Sequence, residues 1–189
     1  QIVSFAELRE AAPDAPILSR ETGVNRRYGQ NPYVGYDDID SPAFLFKGEA
    51  DGRLAPKERV VSVDRPEEAV AYPFAALEEA RVVNDNVGVT PVVLFWQEGA
   101  SSALDAGSIA DGRNVGSVGI FNRTVDGQTL SFNWDGNAFQ DEETGSTWDI
   151  LGRATDGELA GKQLQAVVHD NTLWFAWAAF KPETRIYSN

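Results

Sequence analysis

The stretch that most constrains this chain is Pro91-Val-Val-Leu-Phe-Trp96, six consecutive residues without a polar side chain. Its brevity and its β-branched and aromatic content read as a strand buried on both faces. Its surroundings extend the pattern. Val60-Val-Ser-Val63 and Ala69-Val-Ala-Tyr72 flank a turn-like Asp64-Arg-Pro-Glu-Glu68 and predict a hairpin. Val82-Val83 is expected to lead through a turn at 84–88 into the apolar run. Asp126-Gly127, between 116–125 and 128–134, is the strongest short hairpin signal in the chain. Residues 138–140 and 146–148 bracket a turn at 143–145, and 164–168 and 185–187 read as further strands.

Helices are short. Ser4 and Glu7 have the spacing of a capping box ahead of an apolar stripe at Phe5, Leu8 and Ala11, and Pro13 follows its end. Pro73 opens a second helix towards Arg81, 101–106 reads as one helical turn, and Asn171 is expected to cap a last helix over 173–180. Ile17-Leu18 reads as a brief strand. Residues 19–59 are punctuated by Gly, Pro, Asn and Asp every few positions and predict a long loop. The large apolar groups within it, among them Tyr28, Tyr33, Tyr36, Phe44 and Phe46, imply that it lies against a surface. The expected fold is α+β: β-rich, mostly antiparallel, with three or four short helices and an extended N-terminal arm. The expected division is 1–59 for the arm and 60–189 for a β-rich domain, within the size of one domain plus an appended segment.

Composition narrows the chemistry. The 189 residues contain no cysteine and one histidine, which removes disulfides, thiolate metal sites, cysteine nucleophiles and multi-histidine sites within one chain. The net charge of −13 repels phosphate backbones, so nucleic acid is not an expected partner. No apolar run approaches the ~18 residues of a membrane helix, so membrane insertion is not expected. The chain also contains no methionine, from which a processed product or a piece of something longer is expected.

The two ends echo each other. When Pro13 is laid on Pro182, Phe5 falls on Trp174, Leu8 on Trp177, Ala11 on Phe180 and Ile17 on Ile186. A matching helical phase followed by the same proline, acid and isoleucine pattern reads as internal repetition. On this reading the opening helix is the tail of a preceding repeat, and Phe5, Leu8 and Ile17 are candidate assembly contacts, with the chain itself or an upstream repeat domain as partner.

Several further stretches carry a family resemblance. They are Pro32-Tyr-Val-Gly-Tyr-Asp37, Pro56-Lys-Glu-Arg-Val-Val61, Ala71-Tyr-Pro-Phe74, Val83-Asn-Asp85, Thr144-Gly-Ser-Thr-Trp148, Leu159-Ala-Gly161 and Trp174-Phe-Ala-Trp-Ala-Ala-Phe-Lys-Pro182. In order and spacing the chain resembles the domain of unknown function 3179 family. The resemblance implies a duplicated domain in a longer, often exported protein, with this chain similar to the second copy plus the end of the first. It implies an extracellular or cell-surface location. The His-Glu pair and Cys-Pro-Leu-Cys motif of the first copy are replaced here by Ala80-Arg81 and Gln97-Glu-Gly-Ala100, so chemistry tied to those groups is absent from this chain.

No catalytic residue stands out. His169 reads as a structural histidine at the edge of the last helix, and there is no G-x-S-x-G elbow. Asp141, Glu142, Glu143 and Asp149 around Trp148 could serve glycoside hydrolysis only across an open cleft. Asp37, Asp38 and Asp40 form a loop cluster of hard oxygen ligands, for which the ion would be calcium. Tyr28, Tyr33 and Tyr36 with Arg26 and Arg27 are the candidate binding residues, since they combine aromatic faces with cations in a long loop. The leading expectation is a non-catalytic exported binding or structural module that self-assembles through its arm. The alternatives are a carboxylate-based, divalent-ion-assisted hydrolase and a regulatory partner of a catalytic upstream repeat.

Overall fold

The computed structural model describes residues 1–188; Asn189, the last residue of the expected 60–189 domain, lies outside them. In chain order the elements are α1 (Phe5–Ala11), β1 (Arg59–Asp64), β2 (Ala69–Pro73), α2 (Phe74–Ala80), β3 (Val82–Val87) and β4 (Thr90–Gln97). There follow β5 (Ser117–Asn122), β6 (Thr124–Val125), β7 (Gln128–Thr129), β8 (Phe132–Trp134), β9 (Phe139–Asp141) and β10 (Thr147–Trp148). The remainder are β11 (Ala154–Asp156), β12 (Gln165–Ala166), β13 (Asp170–Leu173), α3 (Trp174–Phe180) and β14 (Arg185–Ile186).

The apolar run becomes β4, the second strand from one edge of a central antiparallel sheet ordered β12-β5-β4-β3. Successive side chains of a strand point to opposite faces. Val92, Leu94 and Trp96 therefore enter one core, shared with Val61, Val63, Val70 and Tyr72 of a sheet ordered β13-β1-β2-β14. Val93 and Phe95 enter a second, shared with Phe132, Phe139 and Trp148 of a sheet ordered β11-β10-β9-β8. The far side of the β13-β1-β2-β14 sheet is buried in turn, because Val60 and Ala71 meet Trp174, Trp177 and Ala178 of α3. The result is one helix and three sheets stacked in layers. All pairings are antiparallel apart from β14, which runs parallel to β2.

Local chemistry explains several boundaries. Both halves of the capping box form at Ser4 and Glu7. Asp126 and Gly127 both take positive φ, 50° and 86°, as a two-residue turn of this kind requires. Residues 84–86 are strand rather than turn, and only Gly88 and Val89 link β3 to β4. The reason is that Asn84 pairs with a neighbouring backbone: its amide donates to the Phe132 carbonyl and accepts from the Phe132 N–H, at 2.7 and 2.9 Å. Asp85 accepts from the Tyr72 hydroxyl (2.9 Å) and from Arg185 (3.0 Å). Each polar side chain thus ties the central sheet to one of the flanking sheets.

Other expectations are corrected. Asn171 caps nothing: it lies inside β13, and α3 begins at Trp174 without a side-chain cap. The N–H groups of Trp174 and Phe175 donate instead to the carbonyls of Glu58 and Pro56, both at 2.8 Å. Residues 101–106 form no helical turn, since their backbone serves the loop described below; a 3-10 turn lies further on, at Ile109–Asp111. Ile17 and Leu18 form no strand and are exposed. The N-terminal part is not simply extended, because α1 sits against the body through side-chain hydrogen bonds.

Two substitutions test the shared strand. Phe95 stacks on Phe139 at 4.4 Å, and Phe95→Ala is expected to cost about 3–5 kcal/mol in denaturant unfolding. Gly116 has φ 79°, and a Cβ there would lie 2.3 Å from the Trp96 indole. Gly116→Ala is expected to destabilise by about 1–3 kcal/mol, with loss of the near-ultraviolet tryptophan signal.

Candidate functional site

Residues 12–58 contain no helix or strand element, yet part of this segment is firmly placed. Asn31, Gly35 and Tyr36 donate their N–H groups to the carbonyls of Gly107, Asp105 and Leu104 at 2.8–2.9 Å, and Ile109 donates to the Gly29 carbonyl. The loop therefore runs along 104–109 in a strand-like strap. Its anchor is Asp37, only 2% exposed. One carboxylate oxygen accepts from Arg59 at 2.7 Å and from the Ser102 hydroxyl at 2.5 Å, and the other accepts from Arg113 at 3.2 Å. Arg113 also donates to the Asp37 carbonyl, at 2.9 Å, and pairs with Asp105.

Beside this anchor lies an open cleft of about 650 Å³ between the strap, β1 and α2, lined by Asp38, Lys57, Glu58, Arg59, Glu78 and Arg113. Lys57 is buried, donates to the Ser41 hydroxyl at 2.7 Å, and holds its ammonium 4.6 Å over the Tyr36 ring. Burial pushes the Asp37 carboxyl up, but the Ser102 hydroxyl and the guanidinium groups of Arg59 and Arg113 outweigh it and hold the group below its ordinary value. Glu58 is the opposite case: burial raises its pKa. The cleft thus sets an ionised, fully paired carboxylate beside one that resists ionisation.

The sequence-derived candidates are placed as follows. Tyr33 and Tyr36 meet edge to face at 6.2 Å, and the Tyr28 hydroxyl hydrogen-bonds Thr22 at 2.9 Å. Tyr28 and Tyr33 stay exposed, so the strap is held by its backbone and Asp37 rather than by aromatic burial. Arg26 and Arg27 are exposed, and neither forms an ion pair among the described residues. Asp37, Asp38 and Asp40 do not converge on an ion: Asp37 points inward to the arginines, and Asp38 accepts from the Asp40 N–H. Among the described residues no group of three or more His, Asp or Glu side chains gathers as a metal cluster.

Of the acids around Trp148, Asp141, Glu143 and Asp149 are taken up in structural hydrogen bonds, and Asp149 also lines a small hollow beside α1. Asp141 is buried and accepts from the Trp148 indole N–H at 2.9 Å, Glu143 accepts from the Ser131 N–H, and Asp149 accepts from the Leu151 and Arg153 N–H groups. His169 donates through Nδ1 to the Val167 carbonyl at 2.7 Å, and burial lowers its pKa, so it stays neutral. Trp174 and Trp177 are core, as their helical spacing predicts, whereas Phe180 is 83% exposed.

Sequence reasoning missed Arg59, Ser102, Arg113 and Glu58. The pattern of a family described as "Protein of unknown function (DUF3179)" matches residues 1–184. The chain belongs to this family. Neither a curated protein nor a solved structure matches it. The DUF3179 match covers the strap, the cleft and both flanking cores.

Asp37→Asn leaves the Arg59 guanidinium without its counter-charge and Arg113 with Asp105 alone, and is expected to destabilise by about 3 kcal/mol. Amide exchange should accelerate first at Gly35 and Tyr36. The lowered pKa of Asp37 means that its contribution is complete above about pH 4 and is lost as pH falls through the folded-state value. Glu58 has the opposite sign: stability falls as pH rises through its raised pKa. Glu58→Gln is therefore expected to raise the neutral-pH denaturation midpoint, with no gain below about pH 4.

Proposed function

We propose that this chain is a non-catalytic, exported binding or structural module that associates with itself or with a preceding domain through the segment 1–59. One observation carries the reading. Of the large apolar side chains left exposed, all but Val89, Val168 and Phe180 lie before Arg59. They include Ile2, Phe5, Ile17, Leu18, Val24, Tyr33, Val34, Phe44 and Leu45. Single exposed apolar groups are ordinary, but their concentration in one segment is the mark of a contact surface. The strap at 29–38 fixes the segment at its middle, so these groups are presented from a defined place.

The test is sedimentation of the intact chain over a wide concentration range. Association is expected, and the triple change Val24→Ser, Tyr33→Ser and Phe44→Ser is expected to abolish it without moving the melting temperature. A chain that stays monomeric at high concentration overturns self-association.

Glu58 favours a second reading, a carboxylate-based hydrolase. A carboxyl whose pKa is raised beside a cleft suits a general acid. Such an enzyme, if assisted by a divalent ion, would melt higher in calcium than in chelator; an identical melting temperature in both counts against it.

A further inference from the structure

The helix α1 has two working faces, and only one of them is used. Its inner face is polar. Glu7 accepts from the Ser117 hydroxyl at 2.7 Å and from the Gln97 amide, Arg153 donates to the Ala11 carbonyl at 2.8 Å, Gln1 donates to the Ile150 carbonyl at 2.7 Å, and Ile2 bridges to Val118. The outer side is uncovered: Phe5 is 56% exposed beside the exposed Arg9 and Glu10, and beyond the helix Ile17 and Leu18 are 62% and 87% exposed.

The chain itself shows what covers such a face. With Pro13 laid on Pro182, the bounds of α1 fall on those of α3. The exposed Phe5, Ile17 and Leu18 and the half-buried Leu8 then fall on Trp174, Ile186, Tyr187 and Trp177. Those four make the seat of the C-terminal segment. Trp174 and Trp177 pack on Val60 and Ala71, Ile186 pairs with Ala71 in the parallel ladder, and the Tyr187 ring lies 5.4 Å from that of Tyr72. Conversely, the residues with which α1 grips its own body, Glu7 and Ala11, correspond to Ala176 and Phe180, which lie off the α3 seat; Phe180 is exposed. The two helices use opposite faces.

We infer that residues 5–18 close the β1–β2-type hairpin of a preceding domain of the same fold, so that α1 is a joint gripping one body with each face. This rests on the reading that the segment 1–59 carries the contacts of the chain, and it names the partner. The hairpin of this chain is not the target, in the same molecule or in a second one, because Trp174 and Trp177 already fill it with larger apolar groups. Three contact positions depart from the match: Arg9 stands where α3 has the buried Ala178 and lies 5.8 Å over the Phe5 ring, Ala15 stands for the buried Thr184 that accepts from the Trp177 indole, and Pro16 stands for Arg185, which pairs with Val70 in the ladder and with Glu68 and Asp85. The N-terminal segment is therefore a weaker closer than α3.

The experiment transplants the segment within the full chain, replacing residues 174–187 with the sequence of 5–18. The chimera is expected to unfold in one cooperative transition at a reduced midpoint, with amide protection retained at Val60, Val61 and Ala71. A version with serine at the positions of Phe5, Leu8 and Ile17 should lose that protection. A chimera no better protected than its serine version overturns the inference. A second measurement is independent of whether the chimera folds. In the natural chain, Phe5→Asp and Leu18→Asp should leave the melting temperature unchanged, and a fall of the size expected for a core substitution would show that this face is already used within its own body and overturn the inference. Self-association is read separately by sedimentation, so a chimera that closes while the natural chain stays monomeric retires self-association alone. A chimera that fails while the natural chain associates retires this inference alone.

Discussion

The burial of β4 on both faces is the constraint from which the rest of the architecture follows. A strand that alternates Val92, Leu94 and Trp96 with Val93 and Phe95 cannot lie at the surface of a two-layer sandwich. It demands apolar cover on each side, and two separate sheets provide it. The hairpin of β1 and β2 then needs a lid of its own, because Val60 and Ala71 face away from the central sheet. The tryptophans of α3 supply that lid. Layers accumulate outward until a face can be left to water.

Features decided by neighbouring residues were legible in the sequence. The Ser4 and Glu7 capping box, the turn at Asp126-Gly127 and the helix that ends before Pro182 all depend on chemistry within a few positions. Features decided at a distance were not. Asn84, Asp85 and Asn86 have the composition of a turn, yet their side chains and backbone are satisfied by Phe132, Tyr72 and Arg185 from other layers, and that satisfaction outweighs local preference. Asn171 fails as a cap for a related reason. The donors it would serve are met by the carbonyls of Glu58 and Pro56.

The candidate site shows the same division. Asp37 was readable as one of several loop carboxylates, but its partner Arg113 lies 76 residues further along, and no local pattern joins the two. Many acids of this chain do structural work of a single kind. Asp38, Asp135 and Asp149 each accept backbone N–H groups at a bend. Acidity in this protein is in part a means of building turns from side chains. That is why counting carboxylates did not lead to the cleft beside Glu58.

The partner strands of β1 are β2, a few residues later, and β13, which follows only after every other sheet has been laid down. On the ribosome, the β1–β2 hairpin therefore emerges early with both edges bare and the Val60 and Ala71 side uncovered, and it stays so until β13, α3 and β14 leave the exit tunnel. A bare, apolar strand edge is the place where nascent chains find each other. Safe synthesis of this protein thus depends on how quickly residues 170–186 reach the sheet that waits for them.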